Sequence, residues 1–310
     1  MKSRIFAVAG FLALSLIWGS SWLTNGMVAA PPLRLQAMRL TVGAVMVSVL
    51  AALVRSRLPS PAALRANSLL GIMLIAIPFG LLTWTNQRSV VVLPMVLFGG
   101  VPLVTALLET RMTTTPIPWR AIQATLVGAG GVALLLSNGL SISASEIWGI
   151  LVILGAIGSH AFSLVLTKAW LRDEPLLISV ATQMGTAAAT LWLLSEVFEK
   201  PDSTDWTRQA WIATLILGLI GSGAGYLLYL WLLREMKPRE IATMFWMVPV
   251  VAIGEGSAAA RQLPPWSILA AAAIIVGSLV VLFRARLELE EAVTLKVTVP
   301  QFDEHGQNLR

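Results

Sequence analysis

Phe98-Gly99-Gly100-Val101-Pro102-Leu103-Val104 is the stretch on which the reading of this chain turns, because much of it returns. Phe98, Val101, Pro102 and Val104 come back as Phe245, Val248, Pro249 and Val251, each 147 residues later (245 − 98 = 147). Both copies lie in long apolar segments with few charges. A proline inside an apolar helix removes one backbone N–H, and its ring presses on the carbonyl four residues earlier. Those carbonyls belong to Phe98 and Phe245. In lipid a freed carbonyl must find a partner in protein or in a wet cavity. A matched pair of interrupted helices in two halves of a membrane chain points to a binding site for a transported solute. The plainer reading is that both prolines only kink packed helices.

The composition around this repeat excludes a soluble protein. Of 310 residues 56% are apolar and 12% charged, and the mean hydropathy is +0.79. A water-exposed surface needs far more charge. Apolar runs of about 20 residues, each enough to cross roughly 30 Å of hydrocarbon, recur along almost the whole chain. The net charge of +6 comes from Lys and Arg placed between the runs, so it does not suggest nucleic acid. With no Cys there is no disulfide, thiolate metal site or thiol chemistry. No motif asks for a metal or an organic cofactor.

The expected fold is all-α and polytopic, with ten spans at roughly 5–29, 33–54, 67–87, 90–110, 119–138, 146–170, 175–196, 209–233, 239–259 and 266–284. Lys2 and Arg4 before an apolar run mimic a signal peptide, but Pro31 follows the would-be cleavage site, so the first run is read as a retained span. Fourteen Lys and Arg at span ends fall on the side of the N-terminus and five on the other. That bias predicts cytoplasmic N- and C-termini. Gly19-Ser20 interrupts the first span and Gly158-Ser159 the sixth. Ser20 lies about 22 Å from the start of its span and Ser159 about 20 Å from the start of its own. Five spans per half is an odd number, so the halves oppose one another as a 5+5 inverted repeat. The expected division is 1–140 and 141–286 for the two five-helix repeats, with 287–310 a mobile cytoplasmic tail.

These features resemble the drug/metabolite transporter superfamily, specifically its EamA-type members. The resemblance rests on Ile17-Trp18-Gly19-Ser20-Ser21-Trp22, on Pro32 followed by Arg39, and on the doubled Pro102 and Pro249 spans. Gly130-Gly131-Val132 and Val276-Gly277 match as well, and the likeness covers about residues 4 to 285. Thr115 and Gln262 stand where relatives carry a Gly-Glu pair, and His160 where many are apolar. The resemblance implies a central cavity walled by spans 1–4 and 6–9, with spans 5 and 10 behind. It also implies export of small metabolites, amino acids or related amphipathic compounds across a bacterial inner membrane, without ATP.

The candidate substrate-binding residues are Ser20, Trp22, Arg39, Trp84, Phe98, Ser159, His160, Gln183, Tyr226, Phe245, Trp246 and Glu255, with Pro102 and Pro249 as kinks that gate. Arg39 sits about 9 Å into its span, where a charge is costly and by default functional. It either binds a carboxylate or pairs with Glu255, unless it snorkels to the headgroups. Glu255 is otherwise a proton carrier or a carboxylate reaching outer water. His160 and Gln183 each read as cavity polar groups or as hydrogen-bonded packing. Glu109, beside Arg111, reads as a solvated helix end. Trp18 and Tyr229 complete the aromatic set of the core spans, which suits a flat or amphipathic solute. The expected partners are that solute and the lipid bilayer; a homodimer is compatible with the sequence, and nucleic acid is not expected. Competing classes are a receptor or scaffold without flux, and an intramembrane serine hydrolase using Ser222 with His160. The hydrolase fails the Gly-x-Ser-Gly pattern, because Ile220 stands where the first Gly belongs.

Overall fold

The computed structural model describes residues 2–25, 28, 30–86, 97–112, 117–135, 147–199, 206–298, 301–302 and 308–309. The described chain is helical: α1 (Lys2–Asn25), α2 (Pro32–Leu53), α3 (61–86), α4 (Val101–Met112), α5 (Trp119–Leu135), α6 (Ile147–Trp170), α7 (Leu176–Phe198), α8 (Arg208–Glu235), α9 (Pro238–Ala259) and α10 (Trp266–Thr298). Among the described residues seven helices are long and apolar enough to cross a membrane, and Ile5–Ser21 and Trp119–Leu135 are shorter apolar stretches. This is a polytopic helical membrane protein. The expected boundary at 140 lies outside the described residues, as does the first part, 90–96, of the span expected at 90–110.

Two spans differ from expectation. α3 begins at Pro61, because Ser60 caps it by accepting from the Ala63 N–H at 3.1 Å and Pro61 needs no donor there. α10 runs on to Thr298, so the tail expected from 287 starts as helix. Further along, Gln301–Phe302 pairs antiparallel with Asn308–Leu309.

Local chemistry fixes the helix ends. Pro31 and Pro32 open α2, and the Glu199 carboxylate from the end of α7 takes the Leu33 and Arg34 N–H groups at 2.6 and 3.0 Å. A carboxylate there satisfies orphan donors and meets the positive end of the helix dipole. Thr207 caps α8 and the Glu240 carboxylate accepts the Lys237 N–H ahead of α9. Arg55 and Arg261 end α2 and α9 in the left-handed region, at φ 51° and 53°.

Apolar side chains divide between two surroundings. Leu70, Leu74, Ile75, Ile153, Ile157 and Met184 are fully buried between helices. Leu53, Leu107, Trp148, Leu193 and Val197 face outward, as a bilayer allows. Glycine sets the closest seams. A Cβ on Gly43 of α2 would lie 2.7 Å from the Gly223 nitrogen and 3.0 Å from the Gly218 oxygen of α8. One on Gly71 of α3 would come within 2.6 Å of the Gln183 Cα of α7. Both seams are backbone against backbone, which only small residues permit.

Candidate functional site

Two spans are opened by π-turns, Ile72–Ala76 in α3 and Leu217–Ala224 in α8. A π-turn shifts the hydrogen-bond ladder and leaves carbonyls for other partners, often at functional sites. Here those partners are side chains from other helices. The Ser159 hydroxyl donates to the Met73 oxygen at 2.7 Å, and His160 Nδ1 meets the Leu74 oxygen at 3.0 Å. A carbonyl only accepts, so Nδ1 carries the proton; in the neutral ring Nε2 then accepts from the Tyr229 hydroxyl at 3.2 Å. From α1, Trp18 Nε1 donates to the Gly221 oxygen at 2.9 Å. Leu74 and Gly221 are one repeat apart (221 − 74 = 147).

Around these bonds the aromatic rings form one cluster. Phe98 meets Phe245 edge-on at 5.5 Å between ring centres, and His160 stands perpendicular to Phe245 at 5.0 Å. Trp18 touches Tyr226 at 5.3 Å and Tyr229 at 5.2 Å. Trp246 is fully buried against Gly128, and its Nε1 donates to the Gly99 oxygen at 2.7 Å. Phe98–Phe245 and Gly99–Trp246 are both pairs at the repeat spacing (245 − 98 = 147; 246 − 99 = 147). Trp18 and Tyr229 lie at the heart of this cluster although neither was among the leading candidates. Their signal was membership of the core aromatic set, which does not say which rings converge.

Arg39 lies buried along the π-turn of α8, its Nε donating to Ser222 Oγ at 2.9 Å. Gly221 makes the room: a Cβ there would sit 3.0 Å from the guanidinium and 2.9 Å from Ser21 Oγ. The expected Arg39–Glu255 pair does not form. Glu255 instead accepts from the Ser20 hydroxyl at 2.5 Å, tying α9 to α1. Two serines on different helices hold the two charges apart. Ser222 and His160, each committed elsewhere, form no catalytic pair.

Gln183 is buried away from the rings, where its amide donates to Asn67 Oδ1 at 3.1 Å. The side chains of Trp22 and Trp84 lie outside the described residues. The two prolines are not alike. Pro249 is inside α9, as expected, but α4 begins at Val101, so Pro102 occupies its first turn, where no donor is missed. The interruption is at Gly99-Gly100, and Trp246 takes the Gly99 carbonyl, not that of Phe98. Pro249→Ala is therefore expected to straighten α9 and slow solute flux in proteoliposomes. Pro102→Ala should leave flux within about twofold. Equal effects would mean that the prolines act alike despite their different positions.

Glu109 corrects the sequence reading outright. It is buried, and its carboxylate meets Arg239 Nη1 of α9 at 2.6 Å, both side chains at most 5% exposed. Beside it Lys168 of α6 donates to the Leu233 and Arg234 carbonyls that end α8, at 2.7 and 2.6 Å. Arg234 in turn reaches the Leu171 and Glu174 carbonyls that follow α6. Cations on helix C-termini are well placed, and together these contacts bolt α4, α6, α8 and α9 at what is here called the basic end.

Residues 147–284, from α6 into the middle of α10, match the EamA-like transporter family. That stretch carries an EamA-like transporter domain. The chain is 24% identical to "Uncharacterized transporter YoaV" of Bacillus subtilis, over 79% of its own length and 85% of the relative's. It is 25% identical to "Uncharacterized inner membrane transporter YedA" of Escherichia coli K12, over 78% of each. "Protein PagO" of Salmonella typhimurium is 22% identical over 78% of this chain and 81% of that one. A crystal structure superposes with a TM-score of 0.79 at 20% identity, covering 91% of this chain and 98% of the other, which shows a shared fold.

Proposed function

We propose that this transporter exports small amphipathic metabolites, amino acids and related compounds among them, by alternating access along the aromatic cluster. Its ten spans form a 5+5 inverted repeat in a bacterial inner membrane, with both termini in the cytoplasm. The observation that carries this reading is that repeat mates touch. Phe98 packs on Phe245, and a residue meets its own counterpart only near an axis relating two halves. The crossed bonds agree, since Trp18 of the first helix and His160 of the sixth each seize a π-turn carbonyl in the opposite half. Binding at the junction of inverted repeats with broken helices is the expected layout of a secondary transporter.

The basic end is assigned to the cytoplasm, where Lys and Arg gather. Its bolt supports a state closed on that side. Glu255, almost one repeat from Glu109 (255 − 109 = 146), is only partly buried at the other end, which supports an opening there. The test is flux of labelled amino acids, nucleobases and amphipathic cations in proteoliposomes. Arg39→Ala should lower flux of the accepted solute at least about tenfold while the protein stays folded. Arg39→Lys should be intermediate, because it keeps the charge and loses the planar donor set. Full flux in Arg39→Ala would remove Arg39 from the pathway, and no flux of any probe by the parent would overturn the amphipathic-solute reading.

A further inference from the structure

Near the basic end a cavity of about 10 Å³ lies between α6, α7 and α8, lined by Thr167, Ser179, Gln183, Leu230, Leu233 and the two clamp cations Lys168 and Arg234. Three of its lining oxygens, Thr167 Oγ1, Ser179 Oγ and Gln183 Oε1, have no hydrogen-bond partner, and their residues are 5%, 2% and 1% exposed. That is unusual in this molecule. Ser15, Thr41, Thr105, Thr125, Thr214 and Ser278 each turn back onto the carbonyl four residues earlier. Thr167 and Ser179 do not use that self-bond.

The amide orientation defines what is wanted. Asn67 Nδ2 donates to the Ala63 oxygen at 3.0 Å, so Asn67 Oδ1 faces Gln183 and accepts from its Nε2. Gln183 Oε1 is therefore an acceptor turned to the cavity. A ligand here must offer a donor to Gln183 and can accept from two hydroxyls, within the space of one small molecule. An anion offers no donor, and a metal cation would face the charges of Lys168 and Arg234. We propose that this cavity is a specific binding site for one water molecule, which bridges α6 to α7 and extends the Ala63–Asn67–Gln183 chain beneath the clamp. Three bonds is the usual complement of a buried water, and the volume matches one.

The test is thermal unfolding of the detergent-purified full chain carrying Thr167→Val, Ser179→Ala, Gln183→Leu and all three together. Each single change strands a polar group and should lower the midpoint. The triple variant strands only Asn67 Oδ1, which Gln183→Leu alone already strands, leaves no polar group around the cavity unmet, and should lose clearly less than the sum. Additive losses, or neutral single variants, would overturn the proposal. An experimental map that orders solvent should place a peak within hydrogen-bond distance of Gln183 Oε1. Anomalous scattering there after exchange into thallium, or the Lys168 ammonium occupying the position, would equally overturn it.

Discussion

Arg239→Ala should unlock the basic end. It takes the Arg239 guanidinium away from the buried Glu109 carboxylate, and breaking such a pair from one side costs about 3–5 kcal/mol. The pair joins α4 to α9, so the strain falls on the contact that closes this end. The chain has no cysteine, which allows a clean reporter. Thr243→Cys, at a fully buried position four residues after Arg239, should resist a membrane-impermeant maleimide offered from the basic side. In the Arg239→Ala background it should react. Replacing both partners by Leu should cost less than either single loss, because neither member of the pair is then left facing the other's vacated place. Unchanged labelling with an unchanged unfolding midpoint would show that the pair closes nothing.

Trp246→Ala should be the most damaging change in the aromatic region. The ring is fully buried over Gly128, and removing a buried Trp costs about 3–5 kcal/mol. It also abandons the Gly99 carbonyl, for about 1–3 kcal/mol more. Trp246→Phe separates the two, since it keeps most of the volume and loses only the N–H. Its loss should be well below that of alanine, with flux reduced because the interruption of α4 loses its tie. The measurement is the unfolding midpoint with flux in the same preparations. If phenylalanine equalled alanine in both, the indole bond would be irrelevant.

Much of this arrangement was readable from the chain. The spacing of 147 residues between Phe98 and Phe245 foretold that the two stretches are related, and the structure seats those rings on each other. Gly19-Ser20 and Gly158-Ser159 do not interrupt their own spans, since α1 and α6 run unbroken through them; Ser159 instead bonds into the interruption of α3. Other features carry no local mark. Nothing in Ile72-Met-Leu-Ile-Ala76 distinguishes a π-turn from ordinary helix, because the shifted ladder is held by Ser159 and His160, 86 residues away in each case. Glu109 looked like a solvated end because its burial depends on Arg239, 130 residues later. The Arg39–Glu255 pairing rested on depth alone, and depth does not fix rotation about a helix axis. The longer α10 was legible in part, since Leu287 to Ala292 are good helix formers, but falling hydropathy there read as a loop.

The glycine seams bear on which parts of the machine travel together. Gly43 puts α2 backbone to backbone with α8, and Gly71 does the same for α3 and α7. Contacts of main chain on main chain have no side chain that can yield, so each pair shifts as one piece. Each pair takes one helix from the amino-terminal half of the chain and one from the carboxy-terminal half. Bodies that moved under the proposed alternating access would therefore each draw on both halves of the chain, and neither half alone would contain a complete one.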